Sequence, residues 1–388
     1  MTFALEDRYR DLQDEARRVA GVVEPMAAEA DAMSTVHDGV RAALADSGLW
    51  ELLVPRAFGG RFETVDPLAV CVVREVLMGT SAHLDSLFAL QGLGSYAIAI
   101  GGSEQQRQSW LPRVASGEAL AAIALTEPEA GSDLKAITTE IVQDGDELVL
   151  RGAKAYISNG GAAAFYCVLA RDGAGYSMVV VPAGADGLQI TPTPEIIAPH
   201  VLADLRFDDV RLPLDARLGS GGSGFDLMLG TLAVFRVSVA GACVGLGQAA
   251  LEEATRHAST REQFGRPLAR LGAVASMLAD SWAELEAARL LTYRAASLAR
   301  EDPATALPHA SMAKLVASET AGRVVDRAVQ VMGRFGLVRD SKVERLYRQS
   351  RPMRIYEGAS EVLKLGVARA LVDRVADADR AADPVRVA

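Results

Sequence analysis

Residues 164–182 read AFYCVLARDGAGYSMVVVP, two apolar runs on either side of the turn-prone RDGAGY. Runs of that length around a glycine-bearing turn predict two paired strands rather than a helix. The pattern extends outward from Leu120 to about Leu218 through IALT, ITTEIV and ELVLRG, with QDGDE as a further turn. The middle third is therefore expected to be a β domain.

On both sides the period changes. From Leu5 to about Gly117, apolar residues recur every three or four positions, as in DLQDEARRVAGVVEPM and VDPLAVCVVREVLMG, with turns at SGLW and FGGRF. That spacing predicts helices. The Gly-rich SGGSG at 220–224 marks a second boundary, after which LARLGAVASMLADSWAELEAARLLTYRAA and SMAKLVASETAGRVVDRAVQVM return to the helical period. The expected fold class is α+β in three parts. These are an N-terminal helical domain over 1–119, a central β domain, barrel-like or sandwich-like, over 120–221, and a C-terminal helical bundle over 222–388. The stretch from Arg374 to Ala388, rich in Ala and charge, is expected to fray.

The chain has 388 residues, half of them hydrophobic, enough for a large core. Its 40 basic side chains face 50 acidic ones, which argues against nucleic acid as a partner. Cys71, Cys167 and Cys243 stand far apart, so neither a disulfide framework nor a zinc site is expected, and a reducing compartment fits. The five histidines, His37, His83, His200, His257 and His309, show no ligand spacing, so no metal centre and no Ser/His/Asp triad is expected. No phosphate loop and no dinucleotide fingerprint is present. The N-terminus is charged from its sixth residue, and Val237–Leu251 is short for a membrane span and is stopped by Arg236. A cytoplasmic protein without a membrane segment is the expectation.

Several stretches can carry chemistry, each with a plainer alternative. ALTEPEAGSD (124–133) sets Thr126, Gly131 and Ser132 in a turn whose backbone can approach a flat or anionic ligand, or it is simply a β-turn. In KAYISNGG (154–161), Tyr156 and Ser158 are two apart and would share a strand face, as a ring platform or a half-buried hairpin end. TREQFGRPL (260–268) offers Arg261 and Gln263 for a phosphate, or is a solvated interhelix loop. QVMGRFG (330–336) reads as a helix C-cap or a ligand loop. Arg236, alone in the uncharged LAVFRVSVAGACVGLG, needs a carboxylate, a phosphate or carbonyl groups, with an internal ion pair slightly favoured. In RIYEGASEV (354–362), Glu357 is either a helix-end charge, beside a Gly358 cap that Glu361 reaches back to, or a base.

In their order and spacing over nearly the whole chain, these stretches together resemble the acyl-CoA dehydrogenase family. The resemblance implies an N-terminal helical domain, a β domain and a C-terminal four-helix bundle, with FAD in the crevice between them. It implies that Leu125, Thr126, Gly131 and Ser132 line the flavin, with Thr126 on the pyrimidine side and Ser132 near the substrate thioester. Tyr156 stands where the family often has Trp, and Ser158 where it often has a Thr near the flavin's reactive nitrogen. Arg261, Gln263 and Phe264 fall at the FAD pyrophosphate, and Gln330, Met332 and Gly333 in a loop that reaches a neighbouring subunit's FAD, which implies a homodimer, commonly a homotetramer. Ala359 and Glu361 fall beside the cofactor, and Arg236, Tyr356 and Gly358 beside the substrate.

Glu357 falls at the catalytic base, which takes the α-proton of an acyl-CoA or acyl-carrier thioester while hydride passes from the β-carbon to FAD. An electron-transfer flavoprotein is the implied partner. Some members carry the base on the helix bearing Arg236, but that position is Phe235 here. Other departures are Ala359 for a usual Thr, Leu271-Gly272 for a pair often containing Gln, Ala233 for an acidic residue, and Gln349 after Arg348. HLDSLFALQGLG would border the acyl tail, and its Asp85 suggests a short or polar chain. A flavin-dependent monooxygenase or oxidase on the same fold, or a scaffold without FAD, are the competing expectations.

Overall fold

The computed structural model describes residues 5–382. Six helices come first: α1 (Asp7–Val23), α2 (Ala27–Asp31), α3 (Asp38–Ser47), α4 (Pro67–Thr80), α5 (Ala82–Gly101) and α6 (Glu104–Ala115). Eight strands follow: β1 (Ala121–Ala124), β2 (Glu140–Asp144), β3 (Glu147–Ser158), β4 (Phe165–Asp172), β5 (Gly175–Pro182), β6 (Leu188–Pro192), β7 (Leu202–Pro213) and β8 (Arg217–Leu218). The chain then returns to helix in α7 (Gly224–Thr260), interrupted by a small hairpin of β9 (Glu262–Gln263) and β10 (Arg266–Pro267). It ends in α8 (Gly272–Glu301), α9 (Pro303–Met332), α10 (Lys342–Ser350) and α11 (Ser360–Ala382).

The run at 164–182 is an antiparallel pair, in register from Phe165 opposite Pro182 to Asp172 opposite Gly175. Gly173, at φ 60°, makes the turn. The eight strands form one mixed sheet in the order β6-β7-β3-β2-β4-β5-β8, with β1 pairing parallel to β4. Only Glu140 and Arg171 join β2 to β4, so the sheet is pinched there into two halves. Ile141, Leu148, Tyr166, Val168 and Phe207 fill one face. On the other face Trp110 of α6 packs its ring 4.5 Å from Phe165, which fastens the helical layer to the sheet.

The C-terminal bundle is built around α7, whose 37 residues run well past the apolar core seen in the sequence. By length and composition it could cross a membrane, yet 83% of its apolar window is buried, because α4, α5, α8 and α9 surround it. Its small residues permit this. A Cβ on Gly245 would lie 1.9 Å from the Glu75 carbonyl of α4, and one on Gly241 2.6 Å from that of Cys71, so two helix backbones meet at these glycines. The three cysteines are buried free thiols.

TREQFGRPL links α7 to α8 with residues 261–266 exposed, and it is ordered as a β-hairpin, with Arg266 paired to Gln263 and Phe264 at φ 52° in its turn. One expectation is corrected. The C-terminal tail does not fray from Arg374, because α11 continues to Ala382; residues 383–388 lie outside the described chain.

Candidate active site

Glu357 lies between a short 3-10 turn, Pro352–Arg354, and α11. Its backbone is left-handed, at φ 52°, and Gly358 follows at φ 109°. For a residue with a Cβ that conformation costs about 1–3 kcal/mol and persists where the surroundings enforce it. Here two cations enforce it through the main chain. Arg236 Nε donates to the Glu357 carbonyl at 2.8 Å, and Lys314 Nζ donates to the Gly358 carbonyl at 2.7 Å. Two buried helices, α7 and α9, thus clamp the turn from which the carboxylate projects.

This geometry replaces two readings. Among the described residues Arg236 has no ion-pair partner: its second contact is Nη1 to the Ser311 hydroxyl at 3.1 Å, so carbonyl and hydroxyl oxygens satisfy it. Gly358 is not the cap of α11 either. The Ala359 carbonyl accepts from Leu363 N–H at 3.0 Å, the helix begins at Ser360, and the Ser360 hydroxyl donates to Glu319. Glu361 is exposed on the first turn.

The Glu357 Oε2 atom is buried and has no hydrogen-bond partner among the described residues. Burial raises the proton affinity of its carboxyl, Arg74, Arg236 and Lys314 oppose that rise, and Asp85 adds to it; the net direction is up. Burial likewise brings Lys314 down to about 8. A half-buried carboxylate with one inaccessible, unpartnered oxygen and a raised proton affinity is equipped to take a proton from carbon.

Asp85 does not face a substrate on its own. Arg74 of α4 holds it in a fork, Nε to Oδ1 at 2.9 Å and Nη2 to Oδ2 at 2.6 Å, while Arg74 Nη1 donates to Ser238 at 2.9 Å. Arg74 and Asp85 are both nearly inaccessible, so the pair forms a closed polar floor. One turn along α7, Phe235 is buried against α5, where a Cβ on Gly92 would lie 2.4 Å from its ring, and Tyr96 meets it edge-on at 5.6 Å.

The β domain presents a second group of candidates. A buried pair that the sequence reading missed, Lys154 of β3 and Glu127, locks two stretches together. Lys154 Nζ donates to Glu127 Oε1 at 3.0 Å and to the Leu125 carbonyl at 2.8 Å. Glu127 also accepts from the Thr138 N–H and hydroxyl and from Thr139 N–H, which hold its carboxyl down at about 2 against the opposing effect of burial. The Thr126 carbonyl receives Ala155 N–H at 2.9 Å. Leu125, Thr126 and the 154–158 strand end are therefore one rigid unit. A lone Lys in the otherwise uncharged GAKAYIS was the available signal. Beyond it, Gly131 and Ser132 are exposed, and a Cβ added at Gly131 would meet nothing within 4 Å.

Tyr156 and Ser158 do not share a strand face as alternation predicts. A bulge between Lys154 and Ile157 puts Tyr156 at φ 56°, where its ring is exposed and its N–H donates to Asp204. Ser158 is half-buried, with its hydroxyl 3.0 Å from His200 Nε2.

A third group gathers where α7 and α9 end. Phe335 meets His257 at 5.2 Å between ring centroids, with the Arg261 guanidinium 5.9 Å and the Arg334 guanidinium 4.9 Å from its ring. Gln263, Phe264, Gln330 and Gly333 are exposed there, Met332 is half-buried, and Phe264 is 90% exposed. Among the described residues neither Arg261 nor Arg334 has a carboxylate partner. Two unneutralised guanidiniums beside an amide side chain match the charge of a pyrophosphate, and a bare aromatic beside them matches a flat ring system. The residues present thus fit a flavin dinucleotide. No group of His, Cys, Asp or Glu suited to a metal ion occurs among the described residues.

A buried carboxylate oxygen without a partner among the bundle helices, together with a basic end suited to a dinucleotide, fits the class of flavoprotein oxidoreductases. The chain matches the N-terminal domain of acyl-CoA dehydrogenases over residues 6–118, their middle domain over 122–210 and their C-terminal domain over 222–372. It belongs to the acyl-CoA dehydrogenase family. It is 36% identical over 359 residues to cyclohex-1-ene-1-carbonyl-CoA dehydrogenase of Geobacter metallireducens, covering 90% of this chain and 94% of that one. Among solved structures it is similar to butyryl-CoA dehydrogenase from Megasphaera elsdenii, with a TM-score of 0.91, 30% identity, and 96% and 100% of the two chains covered. It is equally similar in fold to a chain solved in work on the electron transferring flavoprotein of Acidaminococcus fermentans, with a TM-score of 0.91, 31% identity, and 96% and 99% covered.

Proposed function

We propose that this protein dehydrogenates a short acyl thioester between its α- and β-carbons, with Glu357 as the base. The observation that carries the reading is the Glu357 Oε2 atom, buried and without a partner among the described residues, on a left-handed turn fixed by Arg236 and Lys314. FAD, when bound, supplies the acceptor for the hydride that leaves the β-carbon. The protein's part is geometric and electrostatic. Glu357 receives the α-proton, and charge then builds on the thioester carbonyl oxygen. Among the described residues no backbone carbonyl accepts from the Glu357 N–H, so that donor is available to the oxygen. Arg74, Arg236 and Lys314 surround the site with positive charge that favours an ionised base before the proton moves and a negative substrate after it.

The acyl group is short because Phe235 and Tyr96 fill the space between α5 and α7 one turn from Ser238 and the Arg74–Asp85 pair. In this reading FAD is held by Leu125, Thr126, Gly131, Ser132, Tyr156 and Ser158 at its ring and by Arg261, Gln263 and Phe264 at its pyrophosphate, with Ala359 and Glu361 near the turn, while Gln330, Met332 and Gly333 reach the FAD of a neighbouring subunit. Ser132, Arg236, Tyr356 and Gly358 border the substrate. The exposed Phe264, Leu337 and Leu365, at 90%, 72% and 74%, support a homo-oligomer in which a second copy covers them. Coenzyme A is the favoured thioester carrier and an electron-transfer flavoprotein the electron acceptor. Three buried free thiols agree with a cytoplasmic setting.

The test is anaerobic mixing of the FAD-bound protein with acyl-CoA and acyl-carrier thioesters of increasing length. Bleaching of the flavin absorbance with formation of the trans-2-enoyl thioester is expected for short chains. Rapid oxygen uptake with a hydroxylated product would instead make the protein a monooxygenase.

A further inference from the structure

Three histidines far apart in sequence meet where the N-terminal helices approach the β domain, and the group ends on Ser158. His37, at the N-cap of α3, accepts from Val40 N–H through Nδ1 at 3.3 Å, and its own N–H donates to His83 Nε2 at 3.0 Å. His83 lies on the first turn of α5 and is buried. Because Nε2 accepts, its proton sits on Nδ1. His200 precedes β7, where the Val201 carbonyl receives Asn159 N–H at 2.9 Å, so the His200 backbone is tied to the end of β3. Its ring nitrogen Nε2 lies 3.0 Å from the Ser158 hydroxyl. Burial, and then repulsion from His83, bring His200 down to about 4, while burial brings His83 to about 4 against the pull of Asp31. Both rings are neutral at neutral pH.

A serine hydroxyl has one proton to give. If His200 carries its proton on Nδ1, Nε2 accepts and Ser158 is spent on the imidazole; if on Nε2, Ser158 accepts and its O–H is free. We infer that His200 is a positioning residue that donates from Nε2 to the Ser158 hydroxyl and so fixes Ser158 as a hydrogen-bond donor to the flavin ring. This rests on the reading above, in which Ser158 borders that ring. No charge change is needed. A neutral imidazole held in one tautomer sets the direction of a single O–H, and with it the stability of the flavin's oxidised form relative to its reduced form.

The experiment measures the reduction potential and visible spectrum of the bound flavin in S158A, H200A, H200Q and S158A/H200A, each checked for FAD content and far-UV circular dichroism. The Gln amide can donate where Nε2–H does. S158A should shift the potential, H200A should reproduce most of that shift in the same direction, the double variant should add nothing, and H200Q should restore the potential. The wild-type potential should show no histidine inflection across neutral pH. Shifts that add in the double variant, an unchanged potential in H200A, or failure of H200Q to restore it in a folded, FAD-bound protein would overturn the assignment alone. A protein that takes up no FAD would overturn both this assignment and the reading beneath it.

Discussion

Replacing Lys154 by Met should cost the fold about 3 kcal/mol at neutral pH. The side chain is fully buried and is, among the described residues, the only cation bonded to the Glu127 carboxylate, so its loss leaves a buried negative charge without a counter-ion, a change typically worth about 3–5 kcal/mol. The lower end applies because three donors remain, the Thr138 N–H at 2.6 Å, its hydroxyl at 2.9 Å and Thr139 N–H at 2.9 Å. Against burial, Glu127 falls from 4.5 to about 2, first through the Thr138 and Thr139 donors and then through Lys154, so only part of its preference for the charged form is lost with the cation. Lys154 moves from 10.5 to about 8, a similar amount in the opposite sense, because burial outweighs its partner. Burying both ions offsets much of their mutual attraction, and it is breaking the pair that is expensive.

The sign can be checked with pH. A carboxylate whose folded value is depressed contributes stability above its unfolded value near 4.5 and loses it as pH falls toward about 2. In K154M, Glu127 can take a proton in mild acid and so relieve the unpaired charge. The gap between K154M and wild type should therefore shrink from neutral pH toward pH ~4.5. Urea unfolding followed by circular dichroism at fixed protein concentration measures this, with E127Q/K154M recovering part of the loss. A K154M loss under ~1 kcal/mol, or a gap that widens in acid, would refute the reasoning.

The acidic limb of kcat/KM should lie above the ordinary carboxylate range, since the base works ionised and burial raises it, and Lys314→Met should move the limb to still higher pH by removing positive charge. Stopped-flow rates across a pH series check this. Phe235→Ala should extend the accepted acyl length, by roughly fourfold in kcat/KM per added methylene until the new space is full, read from a chain-length series. Phe264→Asp should weaken subunit association by removing an apolar contact worth about 1.5–3 kcal/mol, seen by light scattering as dissociation on dilution.

Much of this architecture was readable from period alone. The paired runs at 164–182, the helical spacing before Gly117 and the SGGSG break all match observed elements, because binary patterning and glycine turns act locally. What escaped was set by tertiary contact. The bulge at Tyr156 depends on Asp204 meeting its N–H, and no alternation rule shows it. Arg236 found carbonyl and hydroxyl oxygens because the Glu357 turn and Ser311 lie beside it, some 121 and 75 positions away in sequence. Asp85, eleven positions from Arg74, reads as a free acid until α4 and α5 are laid side by side. The histidines showed no ligand spacing, yet folding brings His37, His83 and His200 to one junction. Glu357 was legible as a candidate through its motif, but its left-handed backbone and the orphaned Oε2 exist only in the fold.

The base assignment can be isolated from hydride transfer with an acyl-CoA whose β-methylene is replaced by sulfur, so that only the α-hydrogens can react. Incubated in deuterium oxide, the FAD-bound wild type should exchange those hydrogens, and Glu357→Gln should slow the exchange by about 10²–10⁴-fold while still binding the thioester. Exchange at the wild-type rate in E357Q would place the base elsewhere.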